Sequence, residues 1–163
     1  MRNVKKSTLA MIIIIAGLSL ALTIQLRTFI NEDKLDILNN KIYMNKNKFD
    51  ELRKLADHGD MKAQTDLGLA YGTGNGMQKN YTKARYWYEK AAKQGFAEAQ
   101  FNLGLLYEKS GEYPQAREWY SKAAEQSFTK AQVNLGVLYN QGLGGDIDYE
   151  KSRVLFTKAA EKK

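Results

Sequence analysis

Apolar and polar residues follow a helical period through most of this chain, and the pattern occurs in three copies. The phrase Ala-Gln-x-x-Leu-Gly-x-x-Tyr begins at Ala63, Ala99 and Ala131, so successive copies start 36 and 32 residues apart. Within each copy, the Ala, Leu and Tyr stand at i, i+4 and i+8 and share one face of a helix. A repeat of this period predicts a stacked helical array.

A second amphipathic pattern follows each phrase and contains an Ala-Ala pair, at 91–92, 123–124 and 159–160. In the first copy we predict helix A over 63–71 and helix B over about 82–94. Neither helix is long enough to be stable alone in water, so the pairs are expected to bury their apolar faces against one another. The predicted fold class is all-α: a short right-handed α-solenoid of about three antiparallel helix pairs, with an N-terminal transmembrane or signal helix.

A glycine follows the leucine of each phrase, at Gly68, Gly104 and Gly136. Glycine inside a helix costs roughly 0.5–1 kcal/mol relative to alanine. Because it recurs at one register, we predict that a neighbouring helix approaches too closely there for a Cβ atom.

These features resemble the Sel-one-like repeat, a relative of the tetratricopeptide repeat. The resemblance rests on the three phrases, Gly-x-Gly loops at 74–76 and 142–144, Asn80 and Asp148 before Tyr-x-Lys, and Trp-Tyr-x-Lys-Ala-Ala from Trp87. It covers about residues 50–161 and implies a repeat domain at 49–161, with a degenerate cap at 49–62 and repeats at 63–98, 99–130 and 131–161. Two departures stand out: the middle unit has a shorter linker, 109–114, of tetratricopeptide type, and Leu155 replaces the tryptophan in the third unit.

The N-terminus carries an uncharged apolar run at 9–26 after Arg2, Lys5 and Lys6. An 18-residue helix spans roughly 27 Å, enough for a thin hydrocarbon core. We therefore predict a signal-anchor or transmembrane segment at 1–30 and contact with the membrane through 9–26. The flanking positive charge predicts a single-pass inner-membrane protein with its repeats in the periplasm. The alternative is secretion to the periplasm after cleavage of a signal peptide. Residues 31–48 are predicted to form a polar, partly helical linker.

Composition excludes several kinds of chemistry. The chain has no cysteine, so disulfides, thiolate metal sites and cysteine nucleophiles are ruled out. The net charge is +7, but four of these charges belong to residues 1–30, and the repeats mix both signs, so we predict no nucleic-acid partner. His58 is the only histidine and stands alone at a turn. We predict no enzyme activity, catalytic residue, metal site or cofactor.

The predicted function is that of a membrane-anchored protein–protein interaction module or adaptor, possible roles being those of an immunity protein or an envelope scaffold. The resemblance implies that helix A lines the concave side of the array, where a protein or peptide partner would bind. The candidate partner-binding residues, the helix-A row below, are the helix-A positions off the Leu–Gly–Tyr face: Lys62, Thr65, Asp66, Leu69, Glu98, Phe101, Asn102, Leu105, Lys130, Val133, Asn134 and Val137.

Two alternatives remain open at this point. One is a secreted periplasmic repeat protein that self-associates through its C-terminal end, and the other is a hydrolase. The sequence offers the second no nucleophile–base pair and no metal-ligand set.

Overall fold

The computed structural model describes residues 47–75 and 77–161. The predicted membrane segment at 9–26 and almost all of the predicted linker at 31–48 lie outside these residues. Within them, every helix is too short or too polar to cross a bilayer.

The described residues form seven helices and no strand. The first, α1, is helical from 47 to 57 and overlaps the segment predicted as the cap, 49–62. The other six are α2 (Met61–Thr73), α3 (Tyr81–Lys93), α4 (Ala97–Lys109), α5 (Tyr113–Glu125), α6 (Thr129–Gln141) and α7 (Tyr149–Ala160). The prediction of an all-α array is confirmed, and the two helices predicted in the first copy correspond to α2 and α3.

The helices of each unit run antiparallel. In the first unit, the start of α2 meets the end of α3, where Gln94 Nε2 donates to Gln64 Oε1 at 2.8 Å. Gly72, near the end of α2, lies opposite Ala84, near the start of α3. Each helix B also packs on helix A of the next unit, α3 on α4 and α5 on α6. The units therefore stack in chain order, with their buried apolar residues in three successive clusters.

The repeated glycine marks the closest contact within each unit. A Cβ built on Gly68 would lie 2.7 Å from the Tyr88 ring, and one on Gly104 would lie 2.5 Å from the Tyr120 ring. At Gly136 the corresponding distance, to Phe156, is 2.9 Å. The predicted close approach is confirmed in all three copies, and the neighbour is the aromatic side chain of the same unit's helix B.

Local signals set the helix ends. Asp60, Asn80 and Asp148 each accept a hydrogen bond at a helix N-terminus from the backbone N–H three residues later. Gly74 and Gly142 end their helices in the left-handed conformation, with φ of 78° and 67°. The first glycine of each glycine-rich loop is therefore the C-cap of its helix.

A ladder of glutamines joins successive units. Gln64 donates to the Ala56 carbonyl at 3.0 Å, and Gln100 donates to the Ala92 carbonyl at 3.2 Å. The first-unit contact from Gln94 recurs in the second unit, where Gln126 Nε2 donates to Gln100 Oε1 at 2.8 Å. Gln64 and Gln100 thus each tie their unit to the preceding one and accept a hydrogen bond from a glutamine at the end of their own unit's helix B.

Candidate functional site: the helix-A row and its neighbours

The structure separates the helix-A row into solvated, half-buried and buried positions. Its three residues that precede the Ala-Gln phrase, Lys62, Glu98 and Lys130, are exposed. Leu69, Val133 and Val137 are exposed apolar residues, with 49, 39 and 36% of their surface accessible. The remaining row residues, apart from Thr65, are half-buried, namely Asp66, Phe101, Asn102, Leu105 and Asn134.

The expectation that Thr65 is exposed is wrong. Only 2% of its surface is accessible, and its hydroxyl donates to the Met61 carbonyl at 2.8 Å. The hydroxyl is satisfied one turn back along its own helix, which allows this polar side chain to be buried. Thr65 is therefore not available to a partner in this conformation.

Phe101 and Leu105 belong partly to the core. Both pack against the cluster that joins the second and third units. The Phe101 ring centroid lies 5.7 Å from that of Tyr120 and 5.3 Å from that of Phe128. Both residues are half-buried, so truncating Phe101 would disturb the stack of units as well as any bound partner.

Val133 and Val137 occupy the same two registers in the third unit, one turn apart on α6. Neither packs against a core cluster of the described residues, whereas Phe101 and Leu105 do. Together with Leu69 they form the accessible apolar part of the helix-A row.

Three polar residues of the row, Lys62, Asp66 and Asn134, make contacts within the fold. Lys62 Nζ lies 3.2 Å from Asp66 Oδ2 in an exposed ion pair. Asn134 Nδ2 donates to the Tyr120 hydroxyl at 3.2 Å, and that hydroxyl donates to the Glu108 carboxylate. Burial, reinforced by the neighbouring Glu108 carboxylate, raises the pKa of Tyr120. The phenol is therefore a fixed neutral donor and acts as a structural contact between units.

The second unit's linker is shorter than the glycine-rich loop of the third unit, and a cavity lies beside the shorter one. Arg117 on α5, in the second unit, donates to the carbonyls of Leu138 and Asp146 in the third unit, both at 3.0 Å, and the third unit's glycine-rich loop covers it. Arg85 occupies the same register on α3, but the linker facing it, 109–114, is shorter. A cavity of about 470 Å³ lies there, lined by Arg85, Tyr107 and Lys109 among others. This cavity is present because the linker of the middle unit, which is of tetratricopeptide type, is too short to cover Arg85.

Two further sequence candidates are placed by the structure. His58 Nδ1 lies 2.6 Å from the Lys54 carbonyl on the exposed end of α1. Gln94 and Gln126 contact the lysine carbonyls at the same register, so His58 continues a structural pattern. Within residues 47–75 and 77–161, no group of three or more His, Asp or Glu side chains could hold a metal ion.

Stacked antiparallel helix pairs with a recurring Gly–aromatic contact define a helical-repeat scaffold. The Sel1 repeat family model matches residues 62–96 and 129–163, and the tetratricopeptide repeat model matches the unit between them, 97–129. The chain belongs to the Sel1-like repeat family, whose repeats form protein-interaction scaffolds. The predicted resemblance is confirmed, including the tetratricopeptide character of the middle unit.

Several known proteins share these repeats. The chain is 33% identical over 82 residues to a putative sel1-like repeat-containing protein of Acanthamoeba polyphaga mimivirus, a match covering 50% of this chain and 15% of that protein. The fold of the present chain matches that of c5321, a protective antigen of uropathogenic Escherichia coli. The identity is 40%, the TM-score is 0.67, and the match covers 70% of this chain and 25% of c5321. The chain also matches a Sel1 repeat protein of Oxalobacter formigenes, with 37% identity, a TM-score of 0.66 and coverage of 77 and 54%.

Proposed function

We propose that this chain is a membrane-anchored adaptor that binds a protein partner along the helix-A row. The observation that carries the proposal is the exposed pair Val133 and Val137, which continues the register of Phe101 and Leu105 onto an open surface. Apolar side chains one turn apart on a helix offer contacts that suit a partner helix or peptide. Exposed Lys62, Glu98 and Lys130 supply charges of both signs at one end of the row.

The row is proposed to line the concave side of the array, and residues 9–26 are proposed to hold it at the inner membrane with the repeats in the periplasm. An immunity role and an envelope-scaffold role both fit this arrangement and differ in the identity of the partner. The chain spans 15 to 54% of the length of the relatives named above, so the roles of those longer proteins do not transfer directly.

Photo-crosslinking of the full-length chain in cells tests the binding surface. A photoreactive amino acid at Val137 is expected to trap the partner as a discrete adduct. The matched control is Arg153 on α7, which is also exposed and whose charge is engaged with Glu150 at 2.7 Å. An adduct at Arg153 with none at Val137 would contradict the proposed surface.

A reporter that is active only in the cytoplasm, fused after Lys163, tests the topology. We expect it to be inactive, and the protein to remain with the membrane after carbonate extraction. An active reporter would overturn the periplasmic placement.

A further inference from the structure

A cavity of about 320 Å³ lies between α5 and α7, above α6. This α5–α7 cavity is lined by side chains of all three helices, including Ala124, Gln132, Leu135, Val154, Leu155 and Lys158. Its size is at the lower end of the range for small-ligand pockets.

The cavity follows from one substitution between repeats. Trp87 packs into the cluster formed with α1 and α2, and Trp119 packs against the cluster of α3 and α4. Each indole thus fills the space between its own helix B, the preceding helix B and the helix A between them. Leu155 holds this register in the third unit, and the shorter side chain leaves the corresponding space open.

A lysine covers the indole in the first two units, and a lysine at the same register is present in the third. Lys90 Nζ lies 5.1 Å from the ring centroid of Trp87, and Lys122 Nζ lies 4.1 Å from that of Trp119. These are favourable cation–π distances. Lys158 stands three residues after Leu155, as those lysines stand three residues after their tryptophans. It lines the cavity, where Leu155 offers no ring for it to cover.

Gln132, which lines the cavity, carries a buried side-chain acceptor that has no donor among residues 47–75 and 77–161. Only 3% of the Gln132 surface is accessible, and its Nε2 atom reaches the Ala124 carbonyl at 3.4 Å. Its Oε1 atom has no hydrogen-bond partner in the described structure. The equivalent oxygens of Gln64 and Gln100 each accept a hydrogen bond from a helix-B glutamine. An unpaired buried acceptor costs roughly 1–3 kcal/mol, so a ligand that donates to it gains affinity.

We propose that the α5–α7 cavity receives the side chain of an exposed tryptophan on a protein partner. The indole occupies the space that Trp87 and Trp119 fill in their own units, its face lies under Lys158, and its N–H donates to Gln132 Oε1. Indole suits the site because it is a large apolar ring whose only polar group is a donor. Both tryptophans of this chain are packed in their own units, so the occupant belongs to another molecule. This contact is independent of the helix-A row.

The test uses N-acetyl-tryptophanamide and its analogue methylated on the indole nitrogen, titrated into the ¹⁵N-labelled full-length chain and followed by NMR. We expect the unmethylated ligand to shift the Gln132 side-chain amide and nearby α5 and α7 signals. Methylation should weaken binding about five-fold, the effect of losing one hydrogen bond. In Gln132→Met, which keeps the bulk without the acceptor, the two ligands should bind equally.

In Leu155→Trp, the introduced indole should fill the cavity and abolish ligand binding. Val137→Asp, on the helix-A row, should leave ligand binding unchanged, so failure here is distinct from failure of the proposed adaptor surface. The inference is overturned if neither ligand binds, if wild type binds both equally, or if folded Leu155→Trp binds as wild type does.

Discussion

Gly104→Ala should destabilise the array although alanine is the better helix former. The added Cβ would lie 2.5 Å from Cδ1 of Tyr120. That ring is fully buried, and its hydroxyl is held by Glu108 and Asn134. The ring therefore has no room to move away. Overpacking typically costs about 1–3 kcal/mol, against roughly 1 kcal/mol gained in helix propensity.

Gly136→Ala is the matched comparison in the third unit. Its Cβ would lie 2.9 Å from the Phe156 ring, but Phe156 is 39% exposed, so its ring can turn outward. We expect thermal unfolding of the full-length chain, followed by circular dichroism at 222 nm, to show a Tm about 4–8 °C lower for Gly104→Ala. For Gly136→Ala the Tm should stay near wild type.

Repeating Gly104→Ala in a variant without the Tyr120 ring separates the steric clash from any effect of the glycine's position in the array. Tyr120→Leu removes the ring, so adding Gly104→Ala to that variant should no longer destabilise and should recover part of the helix propensity. If Gly104→Ala lowers the Tm equally with and without the Tyr120 ring, the close-packing explanation is wrong.

Three further outcomes are expected. Gln126→Met should lower the free energy of unfolding by about 1–3 kcal/mol in urea titrations, because it leaves Gln100 Oε1 without its donor, whereas exposed Gln141→Met should have little effect. Burial raises the pKa of Tyr88 from 10.0 to about 12, so its contribution to stability is complete below pH 10 and is lost as the pH rises toward 12. The urea midpoint of the wild-type chain should therefore fall between pH 10 and pH 12, and it should fall less steeply in Tyr88→Phe. Asn80→Ala should cost about 1 kcal/mol in the same urea assay, because Asn80 Oδ1 accepts from the Lys83 N–H at the start of α3.

Features that repeat in register could be predicted from the sequence. The helix pairs and the glycine contact each recur, so one physical explanation had to hold at every copy. The glutamine ladder was missed although its signal was present. Gln64, Gln100 and Gln132 stand in the phrase itself, and Gln94 and Gln126 share one register.

The features that could not be predicted depend on which residues of other helices pack against a side chain. Thr65, Phe101 and Val133 share a register, yet one is buried, one is half-buried and one is exposed. The difference arises from side-chain size and from the presence of a neighbouring unit, which helical periodicity does not encode. The α5–α7 cavity was partly visible as the replacement of tryptophan by Leu155, but its unpaired acceptor required the three-dimensional contacts.

The central claim is that a protein partner binds the exposed part of the helix-A row. The most direct measurement is the affinity of the crosslinked partner, once purified, for the full-length chain carrying Val133→Asp and Val137→Asp. A new charge at each site would have to be desolvated against an apolar surface, so binding should weaken at least about 100-fold. The variant should keep wild-type helicity, because both side chains are exposed. An unchanged affinity in the folded variant would contradict the claim.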